Sequence, residues 1–96
     1  RIHHVHCKDV RAPLMVDLKN RDASFLRAVL SGVFAMPGDG MVDYPALCNA
    51  LARDGYAGWL VVEAEQDPAV APSYPEAVKG YTHLKACCDK AGLKVA

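Results

Sequence analysis

The sequence lacks an excess of charge of either sign. Its 96 residues carry 11 Lys and Arg against 11 Asp and Glu, so the formal net charge is zero. Nucleic acids and anionic membrane surfaces are bound largely through an excess of basic residues. We therefore expect neither nucleic acid nor a membrane as a partner of this protein.

Long apolar runs are also missing. No run approaches the roughly 18–20 residues that a membrane-spanning helix needs. The sequence shows no secretory signal and no initiator Met, and it opens at Arg1, directly before a strand-like segment. We expect a cytoplasmic protein, of which this chain is the C-terminal part.

The four cysteines lack the arrangement of a disulfide framework or a zinc finger. Cys7 lies in a strand-like run, Cys48 lies in a helix-like run, and Cys87 and Cys88 are adjacent. Small secreted scaffolds are richer in cysteine and in loops, and zinc sites repeat short Cys or His spacings. We expect reduced thiols with a structural role.

What the sequence does contain indicates one folded unit. Hydrophobic residues make up 52% of the chain and charged residues 23%, and the length excludes two ordinary domains. Ile2 to Val10 predicts a strand that runs into a loop. Ala23 to Leu30 predicts a short helix that Asp22 caps, with one apolar stripe formed by Phe25, Leu26, Val29 and Leu30.

The second half of the chain predicts a helix, a strand and a longer helix. Turn residues from Met36 to Gly40 indicate a loop, and Asp43 caps a helix from Tyr44 to about Asp54 that ends at Gly55. Gly58 to Glu63 predicts a short buried strand in which Trp59 packs between strand and helix. Ser73 to Glu76 has a capping-box pattern, and the helix that follows, to about Ala91, would bury Ala77, Tyr81, Leu84 and Cys88.

The order of these elements predicts two parallel strands, because a helical crossover joins them. Parallel sheets are covered on both faces, and two strands with a few helices cannot supply that cover. We therefore expect the C-terminal portion of a larger α/β protein. A small βαβα domain is the alternative.

Polar side chains cluster at the end of each predicted strand. The first strand carries His4, His6, Lys8 and Asp9, and the second carries Glu63 and Glu65. Ligands bind at this edge of parallel sheets, and imidazole with carboxylate suits Mn, Co, Fe or Zn better than Ca. Two ligands are too few for a stable site. An ordinary hydrogen-bonded histidine, and a Glu63 solvated at the sheet edge, remain open alternatives.

Four segments, covering much of the chain from His4 onward, carry a more specific pattern. These segments are His4 to Arg11, Arg21 to Leu26, Gly32 to Gly40 and Gly55 to Pro68. The first segment contains an HxHxKD motif, and the last is a GYxGWxVVExEQDP motif. In combination the four segments closely resemble the inosose dehydratase family of bacterial myo-inositol catabolism. That family lies within the xylose-isomerase-like group of TIM barrels.

The resemblance implies a fold and a metal site. The group is a (β/α)8 barrel with a divalent metal at the C-terminal mouth of its strands, so residues 1–96 would be the C-terminal portion of the barrel, about two βα units. His6 and Glu63 match two of the metal ligands. The other two, a Glu and an Asp, would precede Arg1. The resemblance implies Mn or Co as the metal and allows glutathione as a further cofactor.

The activity implied is removal of water from the keto-inositol scyllo-inosose, giving a trihydroxycyclohexane dione. Glu63 would serve as the base and Lys8 as the acid that protonates the departing hydroxyl. The substrate would also contact His4, Arg11 and Glu65. For the function, a ketose isomerase or epimerase of the same group and an inactive fragment remain as alternatives. For the residues, the base could instead be a carboxylate upstream of Arg1, Lys8 could be only an ion-pair partner, and Arg11 could be solvated. A homo-oligomer is compatible with the group.

Overall fold

The computed structural model of the protein describes residues 2–96. These residues form four strands and four helices, in the order β1 (His4–Cys7), β2 (Asp9–Val10), α1 (Ala12–Asn20), α2 (Phe25–Leu30), β3 (Phe34–Ala35), α3 (Tyr44–Arg53), β4 (Trp59–Val62) and α4 (Ser73–Ala91). The helix α1 was not predicted from the sequence.

The strands β1 and β4 pair in parallel, which confirms the predicted crossover arrangement. Their register places His4 opposite Trp59 and Cys7 opposite Val62. The ladder continues one step further, because the backbone N–H of Glu63 donates to the carbonyl of Cys7 at 3.0 Å. The C-terminal ends of both strands therefore lie side by side.

The two faces of this parallel pair have different environments. Alternation along the strands sends Val5, Cys7, Leu60 and Val62 to one face, where they pack on α3 and α4. The buried cluster on that side consists of Cys7, Tyr44, Cys48, Leu84, Cys87 and Cys88. The opposite face, which carries the histidines of β1, is open.

Trp59 lies on the open face, so the prediction that it packs between strand and helix is wrong. Its side chain is 73% exposed. Trp59 points to the same face of the strand as Val61 and Glu63, whereas the helices cover the other face, which carries Leu60 and Val62. The apolar character of a residue in a strand does not show which face of the sheet is covered. The position of Trp59 in the alternation of the strand places it on the open face.

The helix α2 begins later than predicted. Ser24, not Asp22, caps it, since the Ser24 hydroxyl accepts from the backbone N–H of Arg27 at 3.2 Å. Asp22 instead occupies the turn before the helix with a φ of 50°. The predicted apolar stripe is largely exposed, with Phe25 and Leu26 about two-thirds accessible.

The helix α3 confirms its predicted signals. Asp43 accepts from the backbone N–H of Ala46 at 2.9 Å, and Gly55, with a φ of 66°, follows the helix. In α4 the prediction is right for the extent and wrong for the cap. Pro72 is the N-cap, and no side chain caps the helix.

The buried face of α4 is also rotated from the predicted one. Leu84 and Cys88 are buried as expected, but Ala77 and Tyr81 are exposed, and Gly80 and Cys87 are buried instead. A Cβ at Gly80 would press on Val62 and Pro37. The close approach of the helix to β4 at this glycine therefore sets which face is covered.

A second, antiparallel pair forms beside the first. Asp9 pairs with Ala35 and Val10 pairs with Phe34. The loop that follows β3 folds around the fully buried side chain of Asp9, which accepts from the backbone N–H groups of Gly38 and Val42 at 3.0 and 2.9 Å. The predicted loop from Met36 to Gly40 is thus present and anchored at its centre.

All four cysteines are free thiols and all are buried. The sulfur atoms of Cys48 on α3 and Cys88 on α4 lie 3.9 Å apart. Within residues 2–96, none of the helices combines the length and the apolar character that crossing a bilayer requires.

Candidate active site

His6 and Glu63 meet at the C-terminal ends of the parallel strands. His6 Nδ1 lies 2.5 Å from Glu63 Oε2. The register explains the contact: His6 is level with Val61, and Glu63 follows β4 with the same side-chain direction as Val61. The two residues predicted from the sequence to share one site are therefore in direct contact on the open face.

Lys8 lies on the other side of the same carboxylate. Its Nζ is 2.9 Å from Glu63 Oε1 and 3.3 Å from Glu65 Oε2. The second contact is an ion pair rather than a directed hydrogen bond, since Glu65 Oε2 is buried without a hydrogen-bond partner among residues 2–96. The site thus holds an imidazole, an ammonium group and two carboxylates.

Hydrogen bonds within the site stabilise the charged forms of Glu63 and Lys8. The hydrogen bond from Lys8, followed by the contact with His6, lowers the pKa of Glu63 below its ordinary value. The same hydrogen bond to Glu63 raises the pKa of Lys8. At neutral pH the pair is therefore a carboxylate beside an ammonium group.

His4 and Arg11, which were predicted to contact substrate, occupy different positions. The His4 ring lies 5.2 Å from the His6 ring on the open face, and it is exposed. Arg11 lies outside the cluster. Its Nη1 donates to the carbonyls of Gly32 and Phe34 at 2.7 and 3.4 Å, so the guanidinium joins the residue before α1 to the turn after α2 and to β3.

Phe34 was not predicted as a residue of the site region, and Asp9, which was placed among the polar groups of the first strand, has an anchoring role that was not predicted. The Lys8 ammonium lies 5.1 Å from the centre of the Phe34 ring. Asp9 directly follows Lys8 and anchors the loop after β3. The sequence held a signal for the anchoring role of Asp9. The alternation of the first strand turns Asp9 away from Lys8, and glycines follow in the predicted loop. The two-residue strand β3 gives no signal in the sequence for the contact between Phe34 and Lys8.

The donor atoms of the site fit part of a transition-metal centre. Imidazole nitrogen and carboxylate oxygen are ligands that Mn, Co and Zn accept, and His6 and Glu63 present one of each. Among residues 2–96, however, no group of three or more candidate ligands lies together. The residues fit as two ligands of a centre, not as a complete one.

Comparison with known proteins assigns the family. The sequence pattern of the family described as "Xylose isomerase-like TIM barrel" matches residues 1–87. The chain therefore belongs to the xylose isomerase-like TIM-barrel family. The α/β fold class expected from the sequence is confirmed, and the parallel pair with its crossover helices is the repeating unit of such a barrel.

Individual relatives agree with the resemblance seen in the motifs. The chain is 48% identical over its whole length to the rhizopine catabolism protein MocC of Rhizobium meliloti, of which it covers 30%. It is 47% identical over 92% of its length to an inosose dehydratase of Geobacillus thermodenitrificans, covering 30% of it, and 47% identical over 88% to one of Yersinia enterocolitica, covering 28%. The chain thus spans about 30% of the length of these curated relatives.

Proposed function

We propose that the intact protein is a dehydratase that removes water from scyllo-inosose and releases a trihydroxycyclohexane dione. The names of the relatives support this reaction, since inosose dehydratases match most of the chain at 45–47% identity. The observation that carries the proposal is the contact of His6, Lys8 and Glu63 at the C-terminal ends of parallel strands, the edge at which barrels of this kind bind substrates.

The ionisation of the two central groups suits the elimination. Loss of water from a β-hydroxy ketone needs a base for the α-proton and an acid for the departing hydroxyl. Glu63 is held as a carboxylate by its hydrogen bonds, and Lys8 is held as an ammonium group by Glu63. In the proposed reaction Glu63 takes the α-proton from carbon and Lys8 donates a proton to the leaving oxygen, which departs as water.

The remaining polar groups orient the substrate. The Oε2 of Glu65 is buried beside Lys8, but the Glu65 side chain as a whole is 43% exposed, so its other carboxylate oxygen can accept from a substrate hydroxyl. His4 is exposed beside His6 and can reach a second hydroxyl. Several acceptors and donors on one open face suit a polyhydroxylated ring.

A divalent cation completes the proposal. His6 and Glu63 would hold Mn or Co together with ligands from elsewhere in the intact protein, and the bound cation would polarise the ketone of the substrate. Its binding is testable without turnover. Titration of the intact protein with Mn²⁺, followed by calorimetry, should give one site that His6→Ala and Glu63→Ala each weaken, whereas Lys85→Ala on α4 should leave it unchanged.

The reaction itself is tested with scyllo-inosose. The intact protein should produce the dione, which is followed by its ultraviolet absorbance. A ketose isomerase or epimerase of the same group would share the base and the cation, and it is the second candidate because the family match does not separate the two reactions. An epimerised or isomerised ketose without dione would contradict the proposed dehydration.

A further inference from the structure

Phe34 lies against the ammonium group of the proposed acid. The ring centre is 5.1 Å from Lys8 Nζ, within the range of a cation–π interaction. The ring is carried by β3, which pairs with β2 immediately after Lys8 in the chain. It also packs against the Phe25 ring, with a centroid distance of 5.5 Å. The aromatic face is therefore fixed by backbone pairing and by a second ring.

The ion pairs of Lys8 do not by themselves fix its position. A lysine side chain is flexible, and an ion pair that water can reach restrains it weakly. The Glu63 side chain is 31% exposed, so water reaches the stronger partner, and the contact with the buried Oε2 of Glu65 is longer, at 3.3 Å. The Phe34 ring adds a contact that attracts the ammonium group while excluding water from one side of it.

We propose that Phe34 is a positioning residue, whose ring holds the Lys8 ammonium against Glu63 and directs its free N–H toward the departing hydroxyl. The inference rests on the proposed dehydration, in which Lys8 is the acid. Phe34 does not touch the reacting atoms and acts only through Lys8. A proton donor that is correctly oriented before the reaction lowers the barrier, because no reorientation is needed in the transition state.

Substitution of the ring provides the first test. In the intact protein, Phe34→Leu should lower kcat for dione formation about fivefold while KM changes less than about twofold, since a cation–π contact of this kind is modest. Phe34→Tyr, which keeps the aromatic face, should restore most of kcat. Tyr74→Leu is the control, because it removes an aromatic ring on α4 that is 80% exposed and lies outside the site, and it should leave kcat unchanged.

Ring fluorination separates positioning from packing. Successive fluorines on Phe34 weaken the negative face of the ring with little change in shape, so log kcat should fall steadily with their number. The same series at Phe25 should be flat. The contact itself is read independently from the ring-current shift of the Lys8 side-chain NMR signals, which Phe34→Leu should abolish.

The outcomes that overturn the inference differ from those that overturn the proposed function. An active wild-type protein with a flat fluorination series at Phe34, or with equal losses in Phe34→Leu and Phe34→Tyr, would overturn the role of Phe34 alone. A wild-type protein that forms no dione would overturn the proposed function and this inference with it, even if the ring-current shift of Lys8 is present.

Discussion

Glu63 is the residue on which the charges of the site converge. One of its carboxylate oxygens contacts His6 and the other contacts Lys8. The sequence placed His6 and Glu63 at the ends of two neighbouring strands, and the family resemblance matched both to metal ligands. The sequence could not assign Arg11, because its carbonyl partners Gly32 and Phe34 follow helices whose positions only the folded chain shows.

Removal of the lysine should raise the pKa of Glu63. In Lys8→Met the largest cause of the depressed pKa is lost, and carboxyl-carbon NMR titration should show the Glu63 pKa moving up toward its ordinary value. Lys85→Met, which breaks the ion pair of Lys85 with Asp89 on α4, is the control. An unchanged Glu63 pKa in Lys8→Met would contradict the assigned electrostatics.

The same depressed pKa sets a direction for stability against pH. A carboxyl group with a lower pKa in the folded state stabilises the fold fully above its unfolded pKa of about 4.3, and the contribution disappears as pH falls through the folded pKa. The wild-type protein should therefore lose more stability on acidification below about pH 5 than Lys8→Met does.

At the scale of helices and strands, α3 and α4 show which N-cap signals in the sequence are reliable. Asp43 could be predicted as a cap because its side chain is the only candidate before Pro45 in the first turn of α3. Ser73 was mistaken for a cap because Pro72, which has no capping side chain, already occupies that position. Ser and Thr cap a helix only when their own backbone is non-helical, and Ser73 is already the first residue of α4.

Helix caps give a direct stability comparison. Asp43→Ala removes the hydrogen bond to the Ala46 N–H and should lower the free energy of unfolding by about 1 kcal/mol, measured by urea denaturation. Ser73→Ala, which removes no capping bond, should change it by less than about 0.5 kcal/mol. Equal effects would show that the cap assignment is wrong.

Asp9 connects the two strand pairs to the loop after β3. Its Oδ1 accepts from the N–H groups of Val10 and Val42, and its Oδ2 accepts from Gly38. Gly40 packs so closely that a Cβ there would overlap the Asp9 carboxylate. The glycine is required for space, since its φ is not in the left-handed region.

Asp9→Asn should be destabilising even though the shape is kept. One amide N–H would face a backbone N–H inside the protein, and an unsatisfied buried group of this kind costs about 1–3 kcal/mol. Urea denaturation measures the loss. Asp17→Asn, at an exposed acid paired with Arg21, should cost less than about 0.5 kcal/mol. A neutral Asp9→Asn would contradict the anchoring role.

The whole molecule has one covered and one open face of its parallel pair. The sequence predicted the parallel pairing because helices separate the strands, but it predicted the buried face of α4 only in part: Leu84 and Cys88 are buried as expected, whereas Ala77 and Tyr81 are exposed. The choice of face depends on the close approach at Gly80, a tertiary feature that the spacing of Ala77 and Tyr81 does not contain. The antiparallel pair was missed because two-residue strands have no alternation to read.

The cysteine thiols on the covered face of the parallel pair should be unreactive, because all of them are buried. Burial raises the pKa of Cys7 to about 11 and that of Cys48 to about 12. At pH 8 the folded protein should react with Ellman's reagent only on the timescale of unfolding, whereas the denatured protein should react at once with all four thiols. Rapid reaction of Cys7 or Cys48 in the folded protein would contradict the buried core.

These pKa values also predict a loss of stability in alkali. The unfolded chain releases thiol protons above about pH 8.5, while the folded chain keeps them until its higher pKa values are reached. The unfolded state therefore binds fewer protons, and the free energy of unfolding should fall as pH rises from about 9 toward 11. Cys48→Ala should reduce the steepness of this fall.

The central claim is that His6 and Glu63 act as one unit in the dehydration of scyllo-inosose. A double-mutant cycle tests it most directly, with kcat/KM for dione formation measured for the intact wild-type protein, His6→Ala, Glu63→Gln and the double variant. We predict that each single substitution lowers kcat/KM by about a hundredfold or more and that the double variant is little worse than either one. Losses that multiply in the double variant, or normal turnover in a single one, would contradict the claim.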